Sequence, residues 1–330
     1  WDSWVTLQDF QKIADAGFNT VRIPIGYWAY ATVPGEPYVQ GSAPYMDSAI
    51  DWARQTGLKV WIDLHGAPGS QNGFDNSGHK VSEPKWQTGD NVATTLAVLE
   101  TITNKYGKPE YHDVVVGIEL LNEPFTPKLD QNKVKQFHQD GYTKLRSITD
   151  TPIILHDAFL APKAWNGIPT GVESNSKQVV IDHHEYQVFS NEQVAMNTSQ
   201  HLQAVCSSTA AFSQGADKMI VVGEWTSALT DCATWLNGYK IGARYDGTFP
   251  DSHRVGSCDD KRQIPNWTNQ YRDDLRSFLS AQISAYETQT QGWIYWNFKT
   301  EGAHDWDAFA LLDAGIFPKP SDGTPESICA

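Results

Sequence analysis

The sequence predicts a (β/α)8 barrel of the TIM type, in a chain of 330 residues. Three observations carry that expectation. Short runs rich in Val, Ile and Leu alternate with longer amphipathic stretches, the pattern of parallel strands joined by right-handed helical crossovers. The runs read as continuously apolar, as strands buried on both faces do. Their C-terminal ends carry the polar residues, the end of a barrel where chemistry sits.

In order, the strands are expected at 18–25 (FNTVRIPI), 58–65 (LKVWIDLH), 114–122, 152–157, 178–186, 219–225 (MIVVGEW) and 292–298 (GWIYWNF). Helices are expected between them at 6–16, 43–56, 91–106, 131–148, 193–213 and 268–289. The first, LQDFQKIADAG, ends on Gly17, a residue suited to the left-handed turn after a helix. Seven strands are read where eight are needed, and no strand precedes that helix, so the first strand is expected to be absent from this chain. The chain reads as one catalytic barrel domain over 1–330, truncated at its N-terminus, since no linker or low-complexity tract divides it. The Gly-, Asp- and Asn-rich stretch 226–267 reads as a long loop after the Glu224 strand, stapled by cysteine.

Composition narrows the function. A net charge of −14 argues against nucleic acid and anionic membrane, which call for Lys and Arg clusters. No apolar run approaches the ~18 residues of a membrane span, and no signal peptide is visible. Thirteen tryptophans suit both core packing and sugar-binding clefts, where pyranose C–H faces stack on indole. The four cysteines, Cys206, Cys232, Cys258 and Cys329, form no C-x-x-C pair and suggest two disulfides, with three pairings open. Together with sequons at Asn197 and Asn266 they point to a secreted or cell-wall glycoprotein.

The candidate chemistry lies at the strand ends. Glu123 in GIELLNEP and Glu224 in VVGEW supply two carboxylates, the minimum for cleaving a glycosidic bond. One must act as a proton donor and the other stay ionised. Glu224 suits the nucleophile, with Arg22 and Tyr186 as donors that keep it ionised; Glu123 suits the acid/base. Asn122 would bond the sugar 2-hydroxyl. His65, Asp157, Phe159, His183, His184 and Trp296 also follow strands. Asp182-His183-His184-Glu185 resembles a metal site superficially, but alternate residues of a strand point to opposite faces, so metal is the weaker reading. Gly66, Gly69 and Gly73 lack the Lys-Ser/Thr partner of a phosphate cradle, and no G-x-S-x-G elbow is present. No cofactor is expected.

RIPIGYW, WIDLHGAPGSQNGFDNSG, GIELLNEP, VIDHHEYQVFS, VVGEWTSALTDCATWLNG and GWIYWNFKTE, in that order, resemble the fungal exo-β-1,3-glucanases of glycoside hydrolase family five. The resemblance runs from Trp4 to the C-terminal cysteine. It implies a retaining glucan exo-1,3-β-glucosidase, a monomer acting on β-1,3-glucan through a covalent glucosyl-enzyme. It implies Glu123 as acid/base and Glu224 as nucleophile, with Arg22, His65, Asn122, His184, Tyr186 and Trp296 shaping the glucose pocket. Trp296 would be the stacking floor, Phe74 and Phe159 an aromatic clamp, and Phe189 a further rim member. It also implies the pairs Cys206–Cys329 and Cys232–Cys258. Members of that family begin with a strand, a Gly-Gly-Trp stretch and a sugar-binding acidic residue, none of which this chain supplies. Endo or β-1,6 action within the same family, transglycosylation, and a non-catalytic glucan-binding wall protein are the rival readings.

Overall fold

The computed structural model of the chain describes residues 1–172, 178–326 and 329. Six parallel strands form one sheet in the order β1-β2-β3-β4-β5-β6. They are β1 (Thr20–Gly26), β2 (Lys59–Gly66), β3 (Val115–Glu119), β4 (Ile153–His156), β5 (Val179–Glu185) and β6 (Met219–Trp225). Sequential strand order with helical crossovers is the (β/α) barrel pattern. The expected strand at 292–298 is reduced to an isolated parallel bridge, Val222 with Trp293. It still runs beside β6, with Ile294 N donating to Val222 O and Trp296 N to Trp225 O, and leaves it at Asn297, whose N donates to Trp306 O.

The chain divides into two compact units, residues 1–183 with 215–220, and residues 184–214 with 221 onward. In the first unit, α1 (Leu7–Asp15), α2 (Ala43–Thr56), α3 (Asn91–Tyr106) and α4 (Gln131–Arg146) alternate with β1–β4. Local signals set their ends. Asp9 accepts the Thr6 N–H at the start of α1, Gly57 closes α2 in the left-handed region, and Asp130 caps α4 by accepting from Asn132 N and Lys133 N. Ile50, Val60, Ile62, Leu64, Leu99, Leu120 and Leu155 are all fully buried in its core.

In the second unit the expected helix 193–213 is two pieces, α5 (Asn191–Val194) and α6 (Thr198–Ser213). The break falls where Asn197 opens α6 with a reciprocal capping box to Gln200. The helices α6 and α7 (Asn269–Gln289) pack through His201 on Phe278 and Phe212 on Tyr286, and the short α8 (Ala308–Asp313) follows. Between β6 and α7 the described chain holds only two single-turn 3-10 segments. Cys232–Cys258 staples that loop and Cys206 pairs with Cys329, as the resemblance implied.

One buried group in this unit has a thermodynamic consequence. Asp305 is 1 % exposed, and neither carboxyl oxygen has a hydrogen-bond partner among the described residues. Burial pushes its carboxyl from the ordinary 3.8 up to about 8, against a smaller downward pull from its own backbone N–H dipole and from Lys261. Between those values the folded protein holds a proton that the unfolded chain releases. Stability therefore falls as pH rises through this window. Asp305→Asn removes the dependence, so the variant is expected to gain stability at pH 7, up to ~4 kcal/mol at ~1.4 kcal/mol per unit. The gain should shrink towards pH 4. Melting curves of the two proteins that stay parallel across this range would contradict the assignment.

Candidate active site

In the first unit the side chains at the strand ends are organised around Arg22. Strand β1 is flanked by β2, and the register sets Arg22 opposite Trp61. The Arg22 side chain is 1 % exposed. Its Nε donates to Glu119 Oε2 at 3.0 Å and Nη2 to Asn122 Oδ1 at 2.8 Å. Nη1 lies 3.2 Å from Asp63 Oδ2, and Nη2 lies 3.4 Å from Asp182 Oδ2. A buried guanidinium is tolerable only with such partners, and its planar fork suits several carboxylates at once. Trp61 adds an Nε1–H to Glu119 at 3.1 Å. Asp63 then reaches the next layer, where its Oδ2 sits 2.6 Å from His65 Nδ1. The other ring nitrogen of His65 faces Asn122 Nδ2 at 3.4 Å.

Asn122 and Glu123 lie just beyond the last residue of β3 rather than within it. Asn122 N donates to Leu64 O, which holds the segment to β2. Glu123 is 7 % exposed and adopts φ 48°, a left-handed conformation unusual for a non-glycine residue. Such strain persists where the surroundings over-determine it, and it clusters at functional sites. Gln71 contributes to that constraint: its Nε2 donates to Asn122 O and His65 O, and its Oε1 accepts from Ala67 N. Asn76 Nδ2 donates to Glu123 Oε2 at 2.8 Å, and Asn76 Oδ1 accepts from Asn72.

The loop after β2 that carries Gln71, Asn72 and Asn76 needs its glycines. Gly69 and Gly73 have φ 75° and 79°, and a Cβ would lie 2.9 Å from Lys85 backbone carbon or 2.5 Å from Val81 O. The loop presents Phe74, and Phe159 follows β4; both are exposed, with ring centroids 6.3 Å apart at 89°. Phe125 sits between them, 5.1 Å from Phe74 and 5.2 Å from Phe159. Asp157 is buried: its Oδ1 accepts from Phe159 N and its Oδ2 lies 2.5 Å from His183 Nδ1. It therefore fixes the Phe159 turn, in which Ala158 and Phe159 both have positive φ.

In the second unit, Glu224, next to the last residue of β6, is 5 % exposed. Tyr186 Oη donates to Glu224 Oε2 at 2.8 Å, and His184 Nδ1 lies 3.5 Å from the same oxygen. Tyr186 stacks edge-on against Phe189, and its ring centroid lies 5.6 Å from that of Trp306. Trp296 packs with Tyr186 on the cluster of Val188, Ala228, Ala303 and Trp306, and the Trp296–Asn297 peptide is cis. The ligand-type residues of β5 have separate engagements: Asp182 with Arg22, His183 with Asp157, and His184 with Glu224. The sequons Asn197 and Asn266 are both exposed. Among the described residues no helix is long and apolar enough to cross a membrane.

The expected site residues lie near strand ends or on the loops after them, except Arg22, which is inside β1, and Trp296, which follows an isolated bridge rather than a strand. Asp63, Glu119, Asp182, Gln71, Asn72, Asn76, Phe125 and Trp306 were not anticipated. For the three acids a signal existed: a charged residue inside a run buried on both faces requires a partner.

Sequential parallel strands with polar side chains gathered near their C-terminal ends are the arrangement of a (β/α)-barrel enzyme. The family model described as Cellulase (glycosyl hydrolase family 5) matches residues 2–240, and the chain belongs to that family. Proteins named glucan 1,3-beta-glucosidase from Blumeria graminis and Schwanniomyces occidentalis are each 48 % identical to it, over 98 % and 97 % of this chain and 75 % and 74 % of theirs. A solved rutinosidase from Aspergillus niger shares the fold at TM-score 0.71 and 17 % identity, covering 96 % of this chain and 83 % of that one.

Proposed function

We propose that the chain is a retaining exo-β-1,3-glucanase that releases glucose from the non-reducing ends of β-1,3-glucan. The observation that carries the substrate is the 48 % identity, along 98 % of the chain, to a protein named glucan 1,3-beta-glucosidase. The roles follow from the chemistry. Glu224, oriented by Tyr186, attacks C1 of the terminal glucose. Glu123 gives its proton to the glycosidic oxygen, the C1–O bond breaks, and a glucosyl ester forms on Glu224. Glu123, now ionised, removes a proton from water, which attacks C1, frees Glu224 and restores the proton to Glu123. Asn122 holds the 2-hydroxyl, Arg22, His65 and His184 shape the pocket, and Trp296 is its floor. Phe74 and Phe159 clamp the next sugar, Phe189 lines the rim, and Asp157 acts by positioning Phe159. The enzyme works as a monomer, secreted or in the cell wall, with glycans at Asn197 and Asn266.

Proton NMR of laminarin digestion is the direct test. The first product is expected to be β-glucose alone. α-Glucose would overturn retention, early oligosaccharides would indicate endo action, and no turnover would indicate a binding protein. The roles are tested by azide: Glu123→Ala on an activated aryl β-glucoside should be partly rescued to give β-glucosyl azide. Retained β-glucosyl azide from a Glu224→Ala variant, with inverted α-glucosyl azide from Glu123→Ala, would exchange the two assignments.

A further inference from the structure

The stapled loop after β6 carries two large aromatic side chains that face solvent. Trp235 is 52 % and Tyr239 68 % exposed, with ring centroids 5.0 Å apart and planes tilted by 44°. The backbone beneath these rings is held in unusual conformations. Trp235 and Lys240 have φ 67° and 60°, costly for residues with a Cβ, and Gly238 between them has φ 114°. The turn closes through Gly238 N to Trp235 O at 2.8 Å.

The base of this turn is over-determined by polar contacts. The buried Asp231 carboxylate accepts from Asn237 Nδ2, Arg244 N, Arg244 Nη1 and Tyr245 N at 2.7–3.2 Å. Arg244 Nη1 also donates to Asn237 Oδ1 at 2.6 Å, and its guanidinium lies 3.9 Å from the Phe249 ring. Leu236 points the other way, packed with the cluster of Val188, Ala228, Ala303 and Trp306. The Cys232–Cys258 bridge ties the loop down beside it. The loop thus spends its internal bonds on holding two rings outward.

We propose that Trp235 and Tyr239 form a glucan-binding platform on which a β-glucan chain stacks, separate from the pocket that holds the scissile bond. Choosing glucan as occupant rests on the proposed function above. Two observations support it independently. The net charge of −14 disfavours polyanions. A pair of tilted rings also offers flat apolar faces for the C–H surfaces of adjacent pyranoses and leaves their hydroxyls in water. Lys240 Nζ lies 5.2 Å from the Tyr239 ring and is engaged with it.

The test compares the chain carrying Glu224→Gln with the same chain carrying also Trp235→Ala and Tyr239→Ala, by depletion onto insoluble β-1,3-glucan. The platform predicts at least a fivefold weaker association for the triple variant, and near-full retention when Tyr239→Phe alone is added to Glu224→Gln. In the otherwise unsubstituted enzyme, Trp235→Ala/Tyr239→Ala should raise KM on laminarin about fivefold and leave kcat/KM on an aryl β-glucoside within twofold. Equal depletion of both forms, or a loss of dimerisation instead of glucan binding, would overturn the platform. Failure of the unsubstituted chain to cleave the aryl glucoside would overturn the proposed activity, while the depletion result would still decide the platform.

Discussion

Glu224→Gln is expected to lower kcat on an aryl β-glucoside by a factor on the order of 10⁴ or more, the scale on which loss of a covalent nucleophile acts in other hydrolases. The substitution is nearly isosteric. Glutamine keeps an oxygen that can accept from Tyr186 Oη, at present 2.8 Å from Glu224 Oε2. The fold therefore has no reason to change, and the variant should melt within a few degrees of the parent. What disappears is the anionic oxygen that must bond to C1, an interaction made only as the reaction proceeds, so kcat falls and affinity for substrate is spared. Intact-mass measurement after incubation with a slow activated 2-fluoroglucoside provides the check. The parent should gain one glucosyl label on the peptide carrying Glu224, and the variant none. Residual turnover above a percent, or a label on another residue, would remove Glu224 from this role.

Much of this site was legible because strand ends are where barrels keep polar groups. Glu224 is the next-to-last residue of MIVVGEW, the whole of β6. Helices 43–56 and 91–106 were read to the residue, since periodic apolar spacing there coincides with Gly57 and Gly107 at the helix ends. What escaped depends on tertiary partners. Asp63 and Glu119 looked like interruptions in apolar runs, and only the folded sheet shows that Arg22 joins them. Gln71, Asn72 and Asn76 looked like ordinary loop residues, because the loop's path is set by Gly69 and Gly73 and by the backbone groups that Gln71 ties together. Trp293–Phe298 misled for a related reason. Its β-favouring composition was real and it does bond to Val222 and Trp225 of β6, but from Asn297 its backbone turns to Trp306, so the pairing stays an isolated bridge.

Arg22→Met should be the most destabilising single change in the first unit. The arginine is the shared partner of Asp63, Glu119 and Asp182, each of them fully buried. Removing it leaves three carboxylates with their mutual repulsion and their desolvation uncompensated. Breaking a buried pair by deleting one partner costs about 3–5 kcal/mol. At about 2–4 °C per kcal/mol for a unit of this size, the melting temperature should fall by roughly 10 °C or more. Arg22→Lys should recover only part of this, because a single ammonium cannot reach four acceptors in the geometry of the fork. The deficit also carries a sign with pH. With no cation present, the buried acids of the variant hold protons to higher pH than they do in the unfolded chain. Its stability relative to the parent should therefore improve as pH falls from 7 towards 4. Adding Glu119→Gln to Arg22→Met removes one of the stranded charges, so the double variant should be more stable than Arg22→Met alone, a non-additivity expected of residues in one network. If Arg22→Met cost under ~1 kcal/mol, or if its deficit were the same at pH 4 and pH 7, the guanidinium would not be what holds these carboxylates in the core.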